Sequence, residues 1–308
     1  MANSYPSEFF SYLPVAVEDA AKNKASQHFM LDAISRNFSG AIGDDNDAIA
    51  FYKATSGYTV TNVGAGELTV SDVAATKVNI AMDQHPAIWF KIPDFDRVRT
   101  AVDLRGLFLD EAIYKVAKFG ADRLSTYVTG TNFNVNTAIP AEGSVVNTIT
   151  DNQMGLAWQK LADTGLDMRD GNLFLATPTA VYANLVNTPS WNQVVSQGNP
   201  APYIRSSAIL GRQWNAYADY QTGLPLSAGG NMQSILFHKD AFGFAARALP
   251  TPQAGGVKSR TVYYNGLPIR FAIDWNQQKL AEMISVDALF GVGVVDPAKA
   301  VLIISAKA

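Results

Sequence analysis

Residues 75–97, ATKVNIAMDQHPAIWFKIPDFDR, run almost directly into residues 102–124, VDLRGLFLDEAIYKVAKFGADRL, and the spacing of apolar side chains changes between them. In the first stretch Val78, Ile80 and Met82 alternate with Lys77, Asn79 and Asp83, apart from the small Ala81. A period of two marks a half-buried strand. AIWFKI, residues 87–92, predicts a further short strand ending at Pro93. In the second stretch the period becomes helical. Val98, Val102, Leu109, Ile113, Val116, Leu124 and Val128 recur mostly three, four or seven apart, which places them on one helical face. Asp94, following Pro93, suits an N-cap. A helix over 96–128 would be about 50 Å long, unusually long for a compact domain. Gly106 and Gly120 each weaken it by about 1 kcal/mol relative to alanine and predict bends. Such a helix needs a sheet or neighbouring subunits along its length.

Upstream, GYTVTNVGAGELTV (57–70) holds two β-rich pieces around the turn signal Gly64-Ala65-Gly66. Residues 49–92 therefore predict an extended β-arm without the bulk for a core of its own. A two-stranded hairpin is marginal alone in water, and an exposed apolar row is an aggregation hazard. Val60, Leu68, Val70, Val78, Ile80 and Met82 form such a row, so contact with another subunit is expected there. Residues 1–48 mix weak helical signals with the polar, glycine-broken SGAIGDDNDA, which suits a hinge.

Downstream, 130–249 is mixed helix and strand. TDNQMGLAWQKLADT (150–164) puts Met154, Trp158 and Leu161 on one helical face, with Gly165 as the stop. NLFLATPTAVYANLV (172–186) predicts a buried strand and then a helix, with Thr177 as N-cap and Pro178 at the first helical position. SILFHKDAFGFAARALP (234–250) reads as a strand followed by a helix that Asp240 could cap. VKSRTVYYNGLPIRFAIDW (257–275) predicts a hairpin turning at Asn265-Gly266. AEMISVDALFGVGVV and AVLIIS are the closing strands.

The chain of 308 residues is 48% apolar and 17% charged, enough for a large core and charge-poor for a solitary monomer. A net charge of −3 supplies no basic field for gripping phosphates, although passive enclosure of nucleic acid would not need one. Without cysteine there is no disulfide and no thiolate metal site. The first residues lack the basic and apolar regions of a secretory signal. No apolar run approaches the ~20 residues of a membrane helix.

His238, Lys239 and Asp240 are the most enzyme-like cluster. Adjacent residues do not face each other in a strand or a helix. On a strand His238 and Asp240 would share a face about 7 Å apart, too far for a base and its orienting partner. A strand joint is the expected role. His28 and His85 lack ligand spacing, and no cofactor or metal is expected. GDDNDA fails as a calcium loop, because Ala48 or Ala50 falls where a ligand or the glycine is required. GVGVVDP (291–297) fails as a dinucleotide fingerprint, with Asp296 in the third glycine position.

Arm, β-arm, long helix, mixed region, hairpin and closing strands occur in an order that resembles the major capsid proteins of tailed bacteriophages, the Hong Kong 97 type of fold, which encapsulin shells share. Residues 75–97 and 102–124 look like the β-arm, or E-loop, feeding the spine helix. Residues 234–250 resemble a recurring element late in the axial domain, and 266–305 resemble the closing region. The resemblance implies an α+β fold divided into an N-terminal arm (1–48), an E-loop (49–93), a peripheral domain (94–129 and 250–296) and an axial domain (130–249 and 297–308). It also implies a structural protein of the virion, assembled in the host cytoplasm, with no catalytic residue. Copies would associate as hexamers and pentamers into an icosahedral shell around double-stranded DNA. Scaffold, portal and decoration proteins would be further partners, with no membrane. An encapsulin-type compartment is the nearest alternative. A hydrolase using His238 is the alternative from another class.

Overall fold

A computed structural model describes residues 29–34, 48–55, 74–93, 104–133, 136–141, 147–187, 211–213, 215–252, 257–264 and 266–307. Val60, Leu68, Val70, His28 and the hinge at 39–47 lie outside the described residues.

The first sheet is organised by one long strand. In chain order its strands are β3 (Ala87–Pro93), β8 (Phe242–Arg247), β9 (Lys258–Tyr264), β10 (Leu267–Asn276) and β11 (Ala281–Val294). They lie in the order β3-β11-β10-β9, and β8 pairs with the second half of β11. At 14 residues, β11 is long enough to pair with β3 and β10 over its first half and with β8 from Leu289 onward. Strands β9 and β10 form the expected hairpin. Tyr264 pairs with Leu267 across the two-residue connection, and Gly266 takes a φ of +79° that favours glycine.

Helix α2 (Leu104–Ser125) lies on this sheet and continues as one helix through both Gly106 and Gly120. Leu109, Ala112, Ile113, Val116, Ala117, Ala121 and Leu124 form its buried stripe, packed in one cluster with Ile269, Phe271, Val286 and Phe290. Phe119 meets Phe290 edge-on at 6.3 Å, and Phe108 meets Phe90 at 6.1 Å. The periodic positions Leu109, Ile113, Val116 and Leu124 thus lie on the face that the sheet covers, whereas Asp94, Val98 and Val102 lie outside the described residues. A short helix, α1 (Phe29–Ala33), inserts Met30 and Leu31 into the same cluster. Its Met30 amide donates to Gln221 Oε1 at 3.1 Å in the interior.

The second sheet has the order β12-β7-β4-β6-β5. It comprises β4 (Leu173–Thr177), β5 (Gly211–Gln213), β6 (Ala216–Tyr220), β7 (Met232–His238) and β12 (Ala300–Ser305), and only the β4–β6 pair is parallel. Its central strands are apolar on both faces because both are covered. Leu173, Leu175, Leu236, Val301 and Ile303 face helices α3 (Asp151–Asp163) and α4 (Thr179–Asn187). Ala176, Ile235, Phe237, Ala300 and Leu302 face the cluster that holds α2. Thr150 and Gln153 close a capping box at the start of α3.

Three local expectations are corrected. Residues 242–247 are strand β8, not a helix, because Phe242 and Phe244 are buried and the backbone pairs with β11 throughout. The alanine-rich segment has a helix-like composition, and tertiary pairing overrides it. On α3 the buried stripe is Met154, Ala157 and Leu161, with Trp158 one residue off it and exposed. Thr177 ends β4, and its hydroxyl is directed to the Asp219 carbonyl at 3.4 Å across the sheet.

Strands β1 (Ala48–Thr55) and β2 (Ala74–Ala81) form a separate two-stranded antiparallel ribbon, in register from Ala48↔Ala81 to Thr55↔Ala74. Among the described residues, no helix is long and apolar enough to cross a membrane.

Candidate functional site

The passage of the chain from the second sheet to the first and its later return lie side by side. Strand β7 of the second sheet leads through a 3-10 turn, Lys239–Ala241, into β8 of the first. Strand β11 of the first leads through a 3-10 turn, Pro297–Lys299, into β12 of the second. The Val295 and Asp296 amides both donate to the Ala241 carbonyl, at 2.9 and 3.2 Å, and Lys299 Nζ lies 3.4 Å from Asp240 Oδ2.

His238 serves this joint. Its Nδ1 accepts the Asp240 amide at 3.3 Å, so in the neutral ring the proton is on Nε2, which donates to Asp170 Oδ2 at 2.6 Å. Asp296 plays the matching part on the other turn by accepting the Ala298 amide at 3.2 Å. Burial by itself would raise the Asp170 pKa. The Asn172 side chain and backbone amide, with His238, outweigh burial and hold this carboxyl at about 2. Both His238 nitrogens are committed to structural bonds, and a general base needs a free lone pair directed at a substrate. The arrangement clamps a turn. Among the described residues no group of three or more His, Asp or Glu side chains comes together as a metal site.

His85 pairs with a different carboxylate. Its Nε2 lies 3.1 Å from Asp287 Oδ2, and Asp287 also accepts Nε and Nη2 of Arg270 at 3.0 and 2.6 Å. Arg270 and Asp287 stand directly opposite each other on β10 and β11, with Asp287 buried. This group ties the connection between β2 and β3 to the sheet.

The ribbon meets the rest of the subunit at a seat that sequence reading missed. Gly291 pairs with Ala245, and Gly293 with Gly243, so β8 and β11 present one bare patch on a single face. Ile80 fills it and is 2% exposed, clustered with Ala245 and flanked by Met82 and Val295. Beyond the seat, Gln84 and Phe290 exchange two backbone hydrogen bonds at 3.1 and 3.0 Å. Ile80 is therefore committed inside its own subunit and is not available to a neighbour. Val78 is half-buried, while Ala75, Thr76, Lys77 and Asn79 are exposed. The available signal was the alternation of glycine in GVG and FGF, which bares one face of each strand.

No protein-family model matches the sequence, and no curated protein does. Solved structures do. The chain is similar to a structure of Mycobacterium phage Che8, with 16% identity and a TM-score of 0.61 over 89% of this chain and 90% of that one. It is similar to the capsid of cyanophage P-SCSP1u, with 15% identity and a TM-score of 0.61 over 90% and 88% of the two chains. It is also similar to the capsid asymmetric unit of cyanophage A-1(L), with 12% identity and a TM-score of 0.61 over 92% and 93%. Identity this low carries the fold alone. The fold is that of phage capsid structures.

Proposed function

We propose that this chain is the major capsid protein of a tailed double-stranded DNA bacteriophage, with the Hong Kong 97 type of fold. One observation carries the reading: about nine-tenths of the chain superposes on phage capsid chains of matching length. Helix α2 is the spine helix, β1 and β2 belong to the E-loop, the first sheet is the peripheral sheet and the second sheet is axial. The pairing of β8 with β11 supports placing the passage from the axial to the peripheral domain at 239–241 in place of 249–250, with the return passage at 297–299. Copies assemble as hexamers and pentamers into an icosahedral shell that encloses the genome without reading its sequence. A chain of net charge −3 suits a wall to which DNA does not adhere during filling. The protein works mechanically and catalyses no reaction. Scaffold, portal and decoration proteins are its further partners, and it resides in the virion after assembly in the host cytoplasm. Contacts with neighbouring subunits fall on Val60, Leu68, Val70, Val78 and Met82, with Ile80 withdrawn from that set.

Electron microscopy of the purified protein, with sedimentation alongside, tests the reading. Closed particles of megadalton mass are expected. A chain that stays monomeric under every assembly condition tried, alone or with its phage's scaffold, overturns it. Particles loaded with a protein cargo in place of nucleic acid would identify a compartment shell instead.

A further inference from the structure

We propose that the bare patch on β8 and β11 sets the direction in which the β1–β2 ribbon leaves the subunit, with Gly291 and Gly243 as positioning residues. The geometry concerns the subunit alone, while its consequence for particles rests on the capsid reading above.

The glycines meet different things. A Cβ at Gly291 would lie 2.1 Å from the Ala81 carbonyl oxygen and 2.8 Å from its carbon, so the clash is with backbone and no rotamer relieves it. A Cβ at Gly243 would lie 2.4 Å from Ile80 Cδ1 and 2.7 Å from Val295 Cγ2, which are the ends of side chains. At Gly293 the nearest atom is Ile80 Cγ1, at 3.3 Å. Gly291 therefore sets the height of the ribbon backbone above the sheet, and Gly243 sets the depth of the socket for Ile80.

A small change here is amplified. The next fixed point is the Gln84–Phe290 bridge, three residues or about 10 Å from Ala81. Lifting Ala81 by about 1 Å pivots the ribbon through about 6°, and the far end of β2, about 23 Å further on and about 33 Å from the pivot, moves by roughly 3 Å. Packed interfaces do not absorb shifts of that size, and every subunit in a shell would carry the same error.

The test compares the native protein with Gly291→Ala, Gly243→Ala, and Gly243→Ala combined with Ile80→Val and Val295→Ala. Hydrogen exchange on the unassembled subunit reads the seat, and electron microscopy reads the particles. Amides of residues 78–83 should exchange about ten-fold faster in both single variants while β10 and β11 keep their protection. The compensated triple variant should return toward native exchange, because the atoms that clash with the new methyl are gone. Particles from the single variants should change diameter or fail to close, and the triple variant should regain native particles. Unchanged exchange at 78–83 in both single variants, or native-diameter particles from Gly291→Ala, overturns the proposal. If Gly291→Ala loses protection throughout, Gly243→Ala and its compensation decide. If native protein forms no particles under any condition, the capsid reading fails, and the exchange measurements still decide the seat.

Discussion

His238 Nε2 lies 2.6 Å from Asp170 Oδ2, a partner 68 residues away in sequence and neither of the charged groups beside it. The pair fastens the turn where β7 leaves one sheet for the other, and His238 is 4% exposed. Asp170 thus holds one side of the ring, while the 3-10 turn brings Asp240 to the other, its carboxylate 3.5 Å from Nδ1 and not at the strand spacing of about 7 Å.

Acid should loosen this fastening in a defined window. Asp170 titrates near 2 when folded against an ordinary 3.8, so its contribution is complete above about pH 4 and is lost as pH falls toward 2. With the side chain 29% exposed, screening leaves about 1 kcal/mol of pH-dependent stability. Asp170→Asn should flatten that part of the profile in denaturant titrations from pH 5 to pH 2. His238→Ala should flatten it only in part, since Asn172 still bonds the carboxylate. An identical slope in native protein and Asp170→Asn would sink this account.

Ile113 sits at the centre of the buried stripe of α2 and is 1% exposed. Ile113→Asp would bury a carboxylate without a partner. The substitution should cost several kcal/mol, or force that carboxyl to stay protonated well above its ordinary pKa. Urea unfolding should show a lower midpoint that partly recovers as pH is lowered toward 5. A midpoint within error of native protein would mean that the stripe is not the core.

Gln221 is buried, and its Oε1 accepts the Met30 amide. Gln221→Leu removes the acceptor while leaving that amide enclosed, at a cost of about 1–3 kcal/mol. Exchange at Met30 and Leu31 should accelerate well before that of the second sheet. Equal acceleration everywhere would show that α1 does not undock independently.

Replacing residues 58–72 with a short glycine-serine bridge should leave a folded subunit that cannot close a shell. Ile80 and its seat are spared, so circular dichroism should remain native while sedimentation shows only small species. Normal-sized particles from the shortened chain would show that residues 58–72 are not needed for assembly.

Much of the frame was legible because it rests on local periodicity. The seven-residue rhythm of α2, the alternation in β2 and β3, the Asn265-Gly266 turn and the long apolar run of β11 follow from which side chains must leave water. The order of those segments pointed to the fold. Composition had already set aside disulfides and thiolate metal sites.

Pairing between distant strands decided the rest. Residues 242–247 carry helix-like composition, and only the β11 backbone alongside them makes them a strand. Ile80 belongs to an apolar row that a neighbour was expected to cover. Gly243, Gly291 and Gly293, about 160 to 210 residues further on, instead open a socket for it within the same chain. The His238 ring finds Asp170 only because β7 lies antiparallel to β4 just beyond that residue. A side chain's own sequence states whether it must be buried, whereas the contacts that bury it depend on loop closures spanning much of the chain, which local periodicity does not encode.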